Sequence, residues 1–201
     1  GGAGFIGSNL SLKLIEKGYQ VVVLDCLSKQ IHGDNPERDS PLYRSIKDKV
    51  RFIKGDVMCR EDWINSLEGV DCVVHLAAET GTGQSMYEIE RYVTVNVGGT
   101  ALLLDILANN KTTVKRVVVA ESRAIYGEGK YCCEQCGIVY PFERQEDDMH
   151  QGDYECHCPF CGASVKLVAT TEDSAVRPSS VYGITKQVQG QLVHLVCKGL
   201  G

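Results

Sequence analysis

The sequence lacks the excess of basic charge that polyanion-binding proteins carry. Its 21 Lys and Arg residues are outnumbered by 26 Asp and Glu residues, which gives a formal net charge of −5. No basic field therefore draws the chain to nucleic acid or to an anionic membrane surface. It also lacks a signal segment and an unbroken apolar run of the roughly 18 residues that a transmembrane helix needs. We predict a cytoplasmic protein with neither nucleic acid nor a membrane as partner.

Proline is scarce, at 5 of 201 residues, while 43% of the residues are hydrophobic and 23% are charged. This balance excludes a disordered tail, a collagen-like repeat and a long coiled coil. No apolar strand precedes Gly1, and no element follows the apolar pattern that runs into Gly201. We interpret the chain as a fragment of a longer protein whose first strand is missing.

Cysteine, in contrast, is abundant. The chain has ten Cys residues, and six of them fall between positions 132 and 161. A secreted disulfide scaffold would be smaller and would spread its cysteines along the chain. The clustering therefore favours a reduced compartment and a metal site.

Short apolar runs alternate with helical patterns along most of the chain. The runs lie at 20–25, 50–54, 70–76 and 114–120, and the helical patterns at 6–15, 61–67, 88–109 and 182–198. This alternation predicts an α/β fold with a doubly wound parallel sheet. Residues 26–44 are predicted to be a polar loop. The Cys-rich stretch at 128–170 breaks the alternation, so we predict an insertion between a core at 1–127 and a returning helix at 171–201.

A glycine-rich loop opens the chain. Gly1, Gly4 and Gly7 have the spacing of a tight strand-to-helix turn whose amides can approach a pyrophosphate. Asp25 ends a Val-rich run downstream, where a carboxylate can accept both ribose hydroxyls of an adenosine and repel a 2′-phosphate. Together these features predict a site for NAD rather than NADP. A solvated Asp at a strand end is the alternative.

Two further stretches fit an NAD site. Asp56 follows the second apolar run, where it could hydrogen-bond the adenine amino group or be an ordinary turn residue. Leu76, Ala77 and Ala78 end the third run with mostly small side chains, against which a dinucleotide can lie. His75, just before them, is predicted to be a structural histidine rather than a catalyst.

Three residues form a candidate catalytic group. Tyr182 and Lys186 are four positions apart, so both project from one face of a helix. The Lys ammonium lowers the pKa of the phenol because it favours the phenolate, which lets Tyr182 act as a general base near neutral pH. Ser122 follows the fourth apolar run, at the carboxyl edge where open α/β sheets bind ligands. The alternative is a purely structural pair on a helix.

The motifs together resemble the extended short-chain dehydrogenase/reductase family, specifically its nucleotide-sugar epimerases and dehydratases. The resemblance is carried by GGAGFIGS at 1–8, Asp25, GDV at 55–57, HLAA at 75–78, NVGGT at 96–100, SRAIYG at 122–127 and YGITK at 182–186. It implies a Rossmann-like fold and homodimers formed through the helices at 88–109 and 182–198. It also implies a C-terminal lobe, absent from these residues, that reads the nucleotide sugar.

The resemblance extends the predicted cofactor site. It adds residues that would line the glycine loop or border the cofactor: Phe5, Ile6, Val57, Thr80, Asn96, Tyr182 and Lys186. Ser122 is selected as the catalytic hydroxyl because it stands four residues before Tyr126 of the Y-G pair. Family members often have Ser where this chain has Glu121.

The residues after Ser122 bear on the type of reaction. Dehydratases of this type place an acid directly after the Ser or Thr, whereas this chain has Arg123 and Ala124. A 4-epimerase needs no such acid, because the 4-keto sugar turns over and is reduced on its other face. We therefore predict NAD-dependent epimerisation at C4 of a nucleoside-diphosphate sugar. A dehydratase or decarboxylase, and a non-catalytic NAD- or zinc-binding protein, are the alternatives.

The cysteine cluster has the spacing of a zinc site. Cys133 and Cys136 form one C-x-x-C-G knuckle, and Cys158 and Cys161 form a second. Four thiolates close a tetrahedral site, so a zinc ion bound there would be structural. A redox dithiol is an alternative, and the ligands nearby that could substitute are Cys132, His150, Cys156 and His157. Arg144 is the lone basic residue at 131–165, which disfavours nucleic acid as a partner of this zinc-ribbon-like insertion.

The insertion narrows the resemblance within the family. A Cys-knuckled insert between SRAIYG and YGITK, together with TGTGQSMYE at 80–88, is similar to the dTDP-L-rhamnose 4-epimerase branch. UDP-glucose 4-epimerases share the catalytic pattern but usually lack the insert. They remain an alternative.

Overall fold

The computed structural model describes residues 1–200, which divide into two compact units. The first unit contains Gly1–Glu79, Glu90–Ala120 and the chain from Val188 onward, and the second contains Thr80–Ile89 and Glu121–Gln187. The units cut across the segments predicted from the sequence. Residues 121–127 and 171–187 fall in one unit with the insertion, because backbone contacts there join stretches that are distant in sequence.

Two parallel strand pairs lie in the first unit. Strand β1 (Val22–Asp25) pairs with β2 (Arg51–Lys54), and β3 (Cys72–His75) pairs with β4 (Arg116–Val119). The four strands lie within the four apolar runs and are parallel, as predicted. They form two separate two-stranded sheets rather than one continuous sheet.

The glycine loop lies between the two strand pairs. The Gly1 nitrogen donates a hydrogen bond to the Leu24 carbonyl of β1 at 2.8 Å. On its other side, Gly1 packs against the backbone of Leu76 and Ala77, which follows β3. These contacts place the loop between the end of β1 and the end of β3, with β2 and β4 on the outer sides.

Nine α-helices and several shorter helical turns connect the strands within residues 1–200. Four of the α-helices have eight or more residues: α1 (Phe5–Glu16), α5 (Arg60–Leu67), α7 (Gly99–Asn109) and α9 (Val181–Leu200). The shorter ones are α2 (Lys29–His32), α3 (Pro36–Asp39), α4 (Pro41–Ile46), α6 (Ile89–Tyr92) and α8 (Glu146–His150). A π-helical segment, Val93–Gly98, joins α6 to α7, and 3₁₀ turns lie at Gln84–Met86 and Arg123–Tyr126.

The prediction of a plain polar loop at 26–44 was wrong. Helices α2 and α3 and the first half of α4 lie there. Pro36 and Pro41 occupy the first positions of α3 and α4, where proline is well tolerated because that N–H has no helical partner. The Ser40 hydroxyl accepts a hydrogen bond from the Tyr43 amide at 3.2 Å and caps α4.

Apolar residues of α5, α7 and β3 form the larger core of the first unit. Its buried members are Val57, Trp63, Leu67, Val73, Leu103 and Ile106. The Trp63 indole also donates to the Val57 carbonyl at 2.8 Å, which satisfies the one polar atom of that side chain. This core lies under the strand ends and holds them in place.

One helical stretch, Ile89–Asn109, is long and apolar enough to cross a bilayer by length and composition. Its mean hydropathy is 1.2, and 39% of its apolar window is buried inside the protein. Tyr92, Leu103 and Ile106 within it are almost fully buried. A single helix of this kind is weak evidence of a membrane partner, because core helices pass the same test.

The second unit contains a small antiparallel sheet within the insertion. Strand β5 (Tyr131–Cys133) lies between β6 (Gly137–Val139) and β7 (Lys166–Leu167). Cys133, Val139 and Cys158 form its buried centre. The first seven residues of α9 and the 3₁₀ turn at Arg123–Tyr126 belong to the same unit.

Candidate active site and cysteine cluster

The glycine loop has no room for β-carbons at two of its three predicted positions. A Cβ on Gly7 would lie 2.6 Å from the Gly1 carbonyl oxygen, and one on Gly1 would collide with the backbone nitrogen of Ala77. A Cβ on Gly4 would lie at an ordinary 3.5 Å. The loop leads into α1, whose first turn carries no acidic residue, so its amides are suited to bind an anion. Phe5 and Ile6 begin that helix as exposed side chains.

The Asp25 carboxylate ties the glycine loop to the end of β1. It is 7% exposed, its Oδ2 accepts from the Ala3 amide at 2.9 Å, and its Oδ1 accepts from the Leu27 amide at 2.8 Å. Each carboxylate oxygen has a second lone pair. Asp25 can therefore hold the loop and accept ribose hydroxyls at the same time.

Two residues that sequence reasoning missed support Asp25. The His32 Nε2 atom lies 3.6 Å from Asp25 Oδ1, and its Nδ1 lies 2.8 Å from the Ser40 hydroxyl. All three side chains are buried. In the sequence, His32 and Ser40 lay in the stretch predicted as a loop, and no local pattern marked them.

Asp56 and Val57 have different environments. Asp56 Oδ1 accepts from the Met58 amide at 2.9 Å, the geometry of a turn. The Val57 side chain packs in the core against Gly99, where a Cβ would lie 2.9 Å from it. The structure thus brings the Val57 side chain into the core rather than toward a ligand, and leaves Asp56 at the surface.

Asn96 holds the chain just beyond β3. Its Oδ1 accepts from the Glu79 amide at 2.8 Å and its Nδ2 donates to the Glu79 carbonyl at 3.1 Å. Asn96 is fully buried and lies in the π-helical segment, a feature frequent at functional sites. These two hydrogen bonds fix the end of the half-buried Leu76–Ala78 stretch. Thr80, which follows, is exposed and belongs to the second unit.

A buried hydrogen-bond network surrounds Thr100. The Thr100 hydroxyl donates its proton to the Asn96 carbonyl at 2.6 Å. The same oxygen accepts a hydrogen bond from Gln189 Nε2 at 2.6 Å and lies 3.0 Å from His75 Nε2. Since the hydroxyl has one proton, His75 must carry its proton on Nε2 to donate to it. His75 is therefore a buried structural residue, as expected. Gln189 anchors α9, three residues beyond Lys186.

In the second unit, Ser122 and Tyr182 begin two closely packed helical segments. The Ser122 hydroxyl accepts from the Ala124 amide at 3.1 Å and caps the 3₁₀ turn, which leaves its proton to donate. The Tyr182 amide donates to the Ser85 hydroxyl at 3.0 Å. A Cβ on Gly183 would lie 2.7 Å from the Ala124 carbonyl oxygen. The absence of a side chain at Gly183 lets the helix begin against the Ser122 turn.

Lys186 is a buried cation. Its side chain is 3% exposed, and burial lowers the pKa of Lys186 to about 8, although the Glu121 carboxylate acts in the opposite direction. Helix geometry places Lys186 on the face of α9 that carries Tyr182. Glu121, which departs from the family pattern, therefore helps keep Lys186 charged.

The four predicted knuckle cysteines converge in the insertion. The sulfurs of Cys133, Cys136, Cys158 and Cys161 all lie within 4.8 Å of one another. Gly137 and Gly162, which follow the knuckles, have φ of 74° and 71°, so each knuckle closes through a left-handed glycine as predicted. Hydrogen bonds from the Phe160 and Cys161 amides overcome burial and lower the pKa of Cys158 to about 7.

The alternative ligands make other contacts. Cys156 Sγ lies 3.7 Å from Glu128 Oε2, and His157 Nε2 pairs with Asp153 at 2.8 Å. Cys132 Sγ faces the neighbouring carbonyl of Cys133 at 3.9 Å, and His150 ends α8. Among residues 1–200, none of these four joins the sulfur cluster.

Comparison with known proteins places this arrangement in a family. Residues 1–148 match the NAD dependent epimerase/dehydratase family. The chain belongs to that family. It is 36% identical to dTDP-L-rhamnose 4-epimerase of Burkholderia thailandensis over 94% of its own length and 50% of the relative's. It is also 36% identical to UDP-glucose 4-epimerase of Halalkalibacterium halodurans, over 64% of its own length and 35% of the relative's.

A solved structure of the same class is similar along nearly the whole chain. UDP-glucuronic acid 4-epimerase from Bacillus cereus, in complex with UDP-glucuronic acid and NAD, superposes with a TM-score of 0.68 at 26% identity. The match covers 98% of this chain and 50% of that one. The chain thus spans about half the length of the full-length epimerases it resembles.

Replacement of Gly7 by Ala is expected to destabilise the family's glycine loop, because the added methyl meets backbone atoms that cannot move aside. Gly7→Ala should lose several-fold or more in NAD affinity and about 1–3 kcal/mol of unfolding free energy. Gly199→Ala is the control, because a β-carbon there would meet no atom within 4 Å, and it should weaken neither NAD binding nor stability. NAD titration and urea unfolding of the intact protein measure the two effects. Equal tolerance of both substitutions would contradict the prediction.

Removal of the Glu121 charge is expected to shift the pH dependence of turnover. Glu121 raises the pKa of Lys186 against the effect of burial, so Glu121→Gln should let Lys186 lose its proton at lower pH. The alkaline limb of the kcat–pH profile should move to lower pH. Glu172→Gln, at an exposed glutamate of the same unit, is the control. An alkaline limb of the kcat–pH profile that is unchanged in Glu121→Gln would contradict this role of Glu121.

Proposed function

We propose that the intact protein is an isomerase that epimerises C4 of a nucleoside-diphosphate sugar with NAD, through a transient 4-keto sugar. The observation that carries the proposal is the buried Lys186 on the helix face of Tyr182, with the Ser122 hydroxyl on the turn packed against the start of that helix. The tight approach at Gly1 and Gly7 fits a dinucleotide pyrophosphate, and Asp25 fits its ribose. NAD, when bound, supplies the reversible two-electron oxidation of C4.

The residues of this chain supply the proton transfer. With Lys186 on the same face of α9, Tyr182 takes the proton from the sugar 4-hydroxyl as C4 is oxidised. The Ser122 hydroxyl donates to the same oxygen and holds it in line with the phenol. The keto sugar then turns over and C4 is reduced on its other face. Tyr182 returns the proton to the 4-oxygen, which leaves C4 with the opposite configuration.

A dehydratase is the second candidate, and the 3₁₀ turn argues against it. Dehydratases of this type place the acid that expels the 6-hydroxyl directly after the catalytic Ser or Thr, not before it, where this chain has Glu121. The turn places Arg123 and Ala124 at those positions, and neither can donate or accept the proton. A non-catalytic NAD- or zinc-binding protein would have no use for a buried cation beside Tyr182.

The substrate that we propose is dTDP-L-rhamnose. A match over 94% of the chain to the Burkholderia thailandensis enzyme must include the insertion at 128–170. The match to the Halalkalibacterium halodurans enzyme leaves about a third of the chain without a counterpart. A UDP-glucose 4-epimerase is the alternative substrate assignment. The cytoplasm, where nucleotide sugars are made and used, is the proposed location.

We further propose a homodimer formed through the helical stretches at 88–109 and 182–198. Both carry exposed apolar side chains, among them Val93 and Leu195 at 44% and 71% exposure. Nucleic acid is not a proposed partner, because the insertion is acidic.

The test of the proposed activity uses the full-length protein, NAD and dTDP-L-rhamnose. A C4 epimer should accumulate, detected by NMR of the released sugar, and Tyr182→Phe should lose at least about a thousandfold in turnover while unfolding at the same urea concentration. Tyr19→Phe, at an exposed tyrosine, is the control. Release of a 4-keto-6-deoxy product would assign the dehydratase instead, and full activity of Tyr182→Phe would exclude its role as base.

The insertion is proposed to hold one structural zinc ion on Cys133, Cys136, Cys158 and Cys161. Four sulfurs within 4.8 Å of one another have the donor set and closure of a structural zinc site. A bound ion would cross-link the two knuckles, which a sheet with strands of two and three residues cannot hold alone.

Elemental analysis of the purified protein should find about one zinc per chain. Cys158→Ser should lose the metal and much of the order of the insertion, because three thiolates bind zinc less tightly than four. Cys72→Ser, at an exposed cysteine of β3, should retain the metal. Zinc retention by the cluster variant, or none in the parent protein, would exclude the site.

A further inference from the structure

Arg177 joins three parts of the second unit just ahead of α9. Its backbone amide donates to the Ile125 carbonyl at 2.9 Å. Its carbonyl oxygen occupies the place that a β-carbon on Gly127 would take, and Gly127 has φ of 58°. The backbone of Arg177 is thus fastened to the turn that Ser122 caps.

The side chain of Arg177 extends in turn to the cysteine insertion. Its guanidinium carbon lies 5.9 Å from the ring centre of Tyr140 and 5.9 Å from that of Phe142, within the range of cation–π attraction. Its Nη1 also donates to the Tyr140 carbonyl at 3.2 Å. One residue therefore contacts the insertion through its side chain and the Ser122 turn through its backbone.

Both ends of this connection lead to predicted functional groups. Tyr140 directly follows Val139, which is buried with Cys133 and Cys158 at the centre of the insertion. On the other side, Ala124 of the Ser122 turn packs against Gly183, the neighbour of Tyr182. All these residues belong to one compact unit, and the steps between them are either direct contacts or bonds between neighbours in the chain.

We propose that Arg177 is a positioning residue through which the folded cysteine insertion sets the geometry of the Ser122 turn and the start of α9. The inference rests on the proposed function for the zinc ion and the reaction. Zinc-dependent folding of the knuckles would position Tyr140 and Phe142, whose rings contact Arg177. The insertion would in this way affect turnover. No residue of the insertion needs to touch the sugar.

The test combines removal of zinc with Arg177→Met in the full-length, NAD-bound protein. In the parent protein, a chelator should lower kcat roughly ten- to a hundredfold with little change in NAD affinity. Hydrogen exchange of the backbone at 122–127 should become faster at the same time. Arg177→Met should show the same loss of kcat with zinc still bound, and chelation should lower its kcat no further. This lack of additivity is the signature of one shared connection.

A second pair of variants keeps the test decisive if Arg177→Met unfolds. Phe142→Ala removes one ring from the guanidinium and should cause a smaller loss of kcat in the same direction. Phe160→Ala, at a 77% exposed ring of the same insertion, should have no effect. Unchanged exchange at 122–127 after chelation, or additive losses of kcat, would overturn the proposal. The exchange experiment needs no turnover, so it tests the connection through Arg177 separately from the proposed reaction, and zinc analysis of the parent protein tests the metal separately from both.

Discussion

A backbone turn with no space for β-carbons is the constraint on which the first unit depends. Gly1 meets the Leu24 carbonyl on one side and the backbone of Leu76 and Ala77 on the other, so the loop lies between the two strand pairs and keeps them together. Asp25 then fastens the loop to β1 through the Ala3 amide. Any side chain at Gly1 or Gly7 would push these parts of the backbone apart. The close backbone approach that we propose for binding a pyrophosphate is therefore also what holds the two strand pairs beside the loop.

In the second unit, the corresponding constraint is the buried positive charge of Lys186. Lys186 loses hydration on burial, and the Glu121 carboxylate compensates part of that loss. The residue that departs from the family's usual Ser at position 121 thus changes the electrostatics of the proposed base. This dependence also explains why Glu121 could not be interpreted from the sequence: its partner lies 65 residues away along the chain.

Much of the fold was predictable, for reasons that differ between elements. The strands β1 to β4 were found because each lies in a short apolar run between helical or polar stretches, although among them only β1 and β3 contain buried residues. The pairs Cys133–Cys136 and Cys158–Cys161 were predictable from the C-x-x-C-G spacing, whereas Cys132 and Cys156 stayed open as alternatives until the structure placed them outside the sulfur cluster. The helices α2 to α4 were missed because one-turn helices have no apolar period to detect. The π-helical segment at Val93–Gly98 was hidden within a helical pattern that continues on both sides of it.

Hydrogen bonds of the Thr100 hydroxyl link His75 on β3, Asn96 in the π-helical segment and Gln189 on α9. A valine there would have nearly the same shape but would take away the shared acceptor of two interior donors, at about 1–3 kcal/mol for each. Natural sequences are therefore expected to vary at 75, 100 and 189 in concert, with serine as the tolerated exchange at 100. A relative that combined Val at 100 with His at 75 and Gln at 189 would speak against such co-evolution.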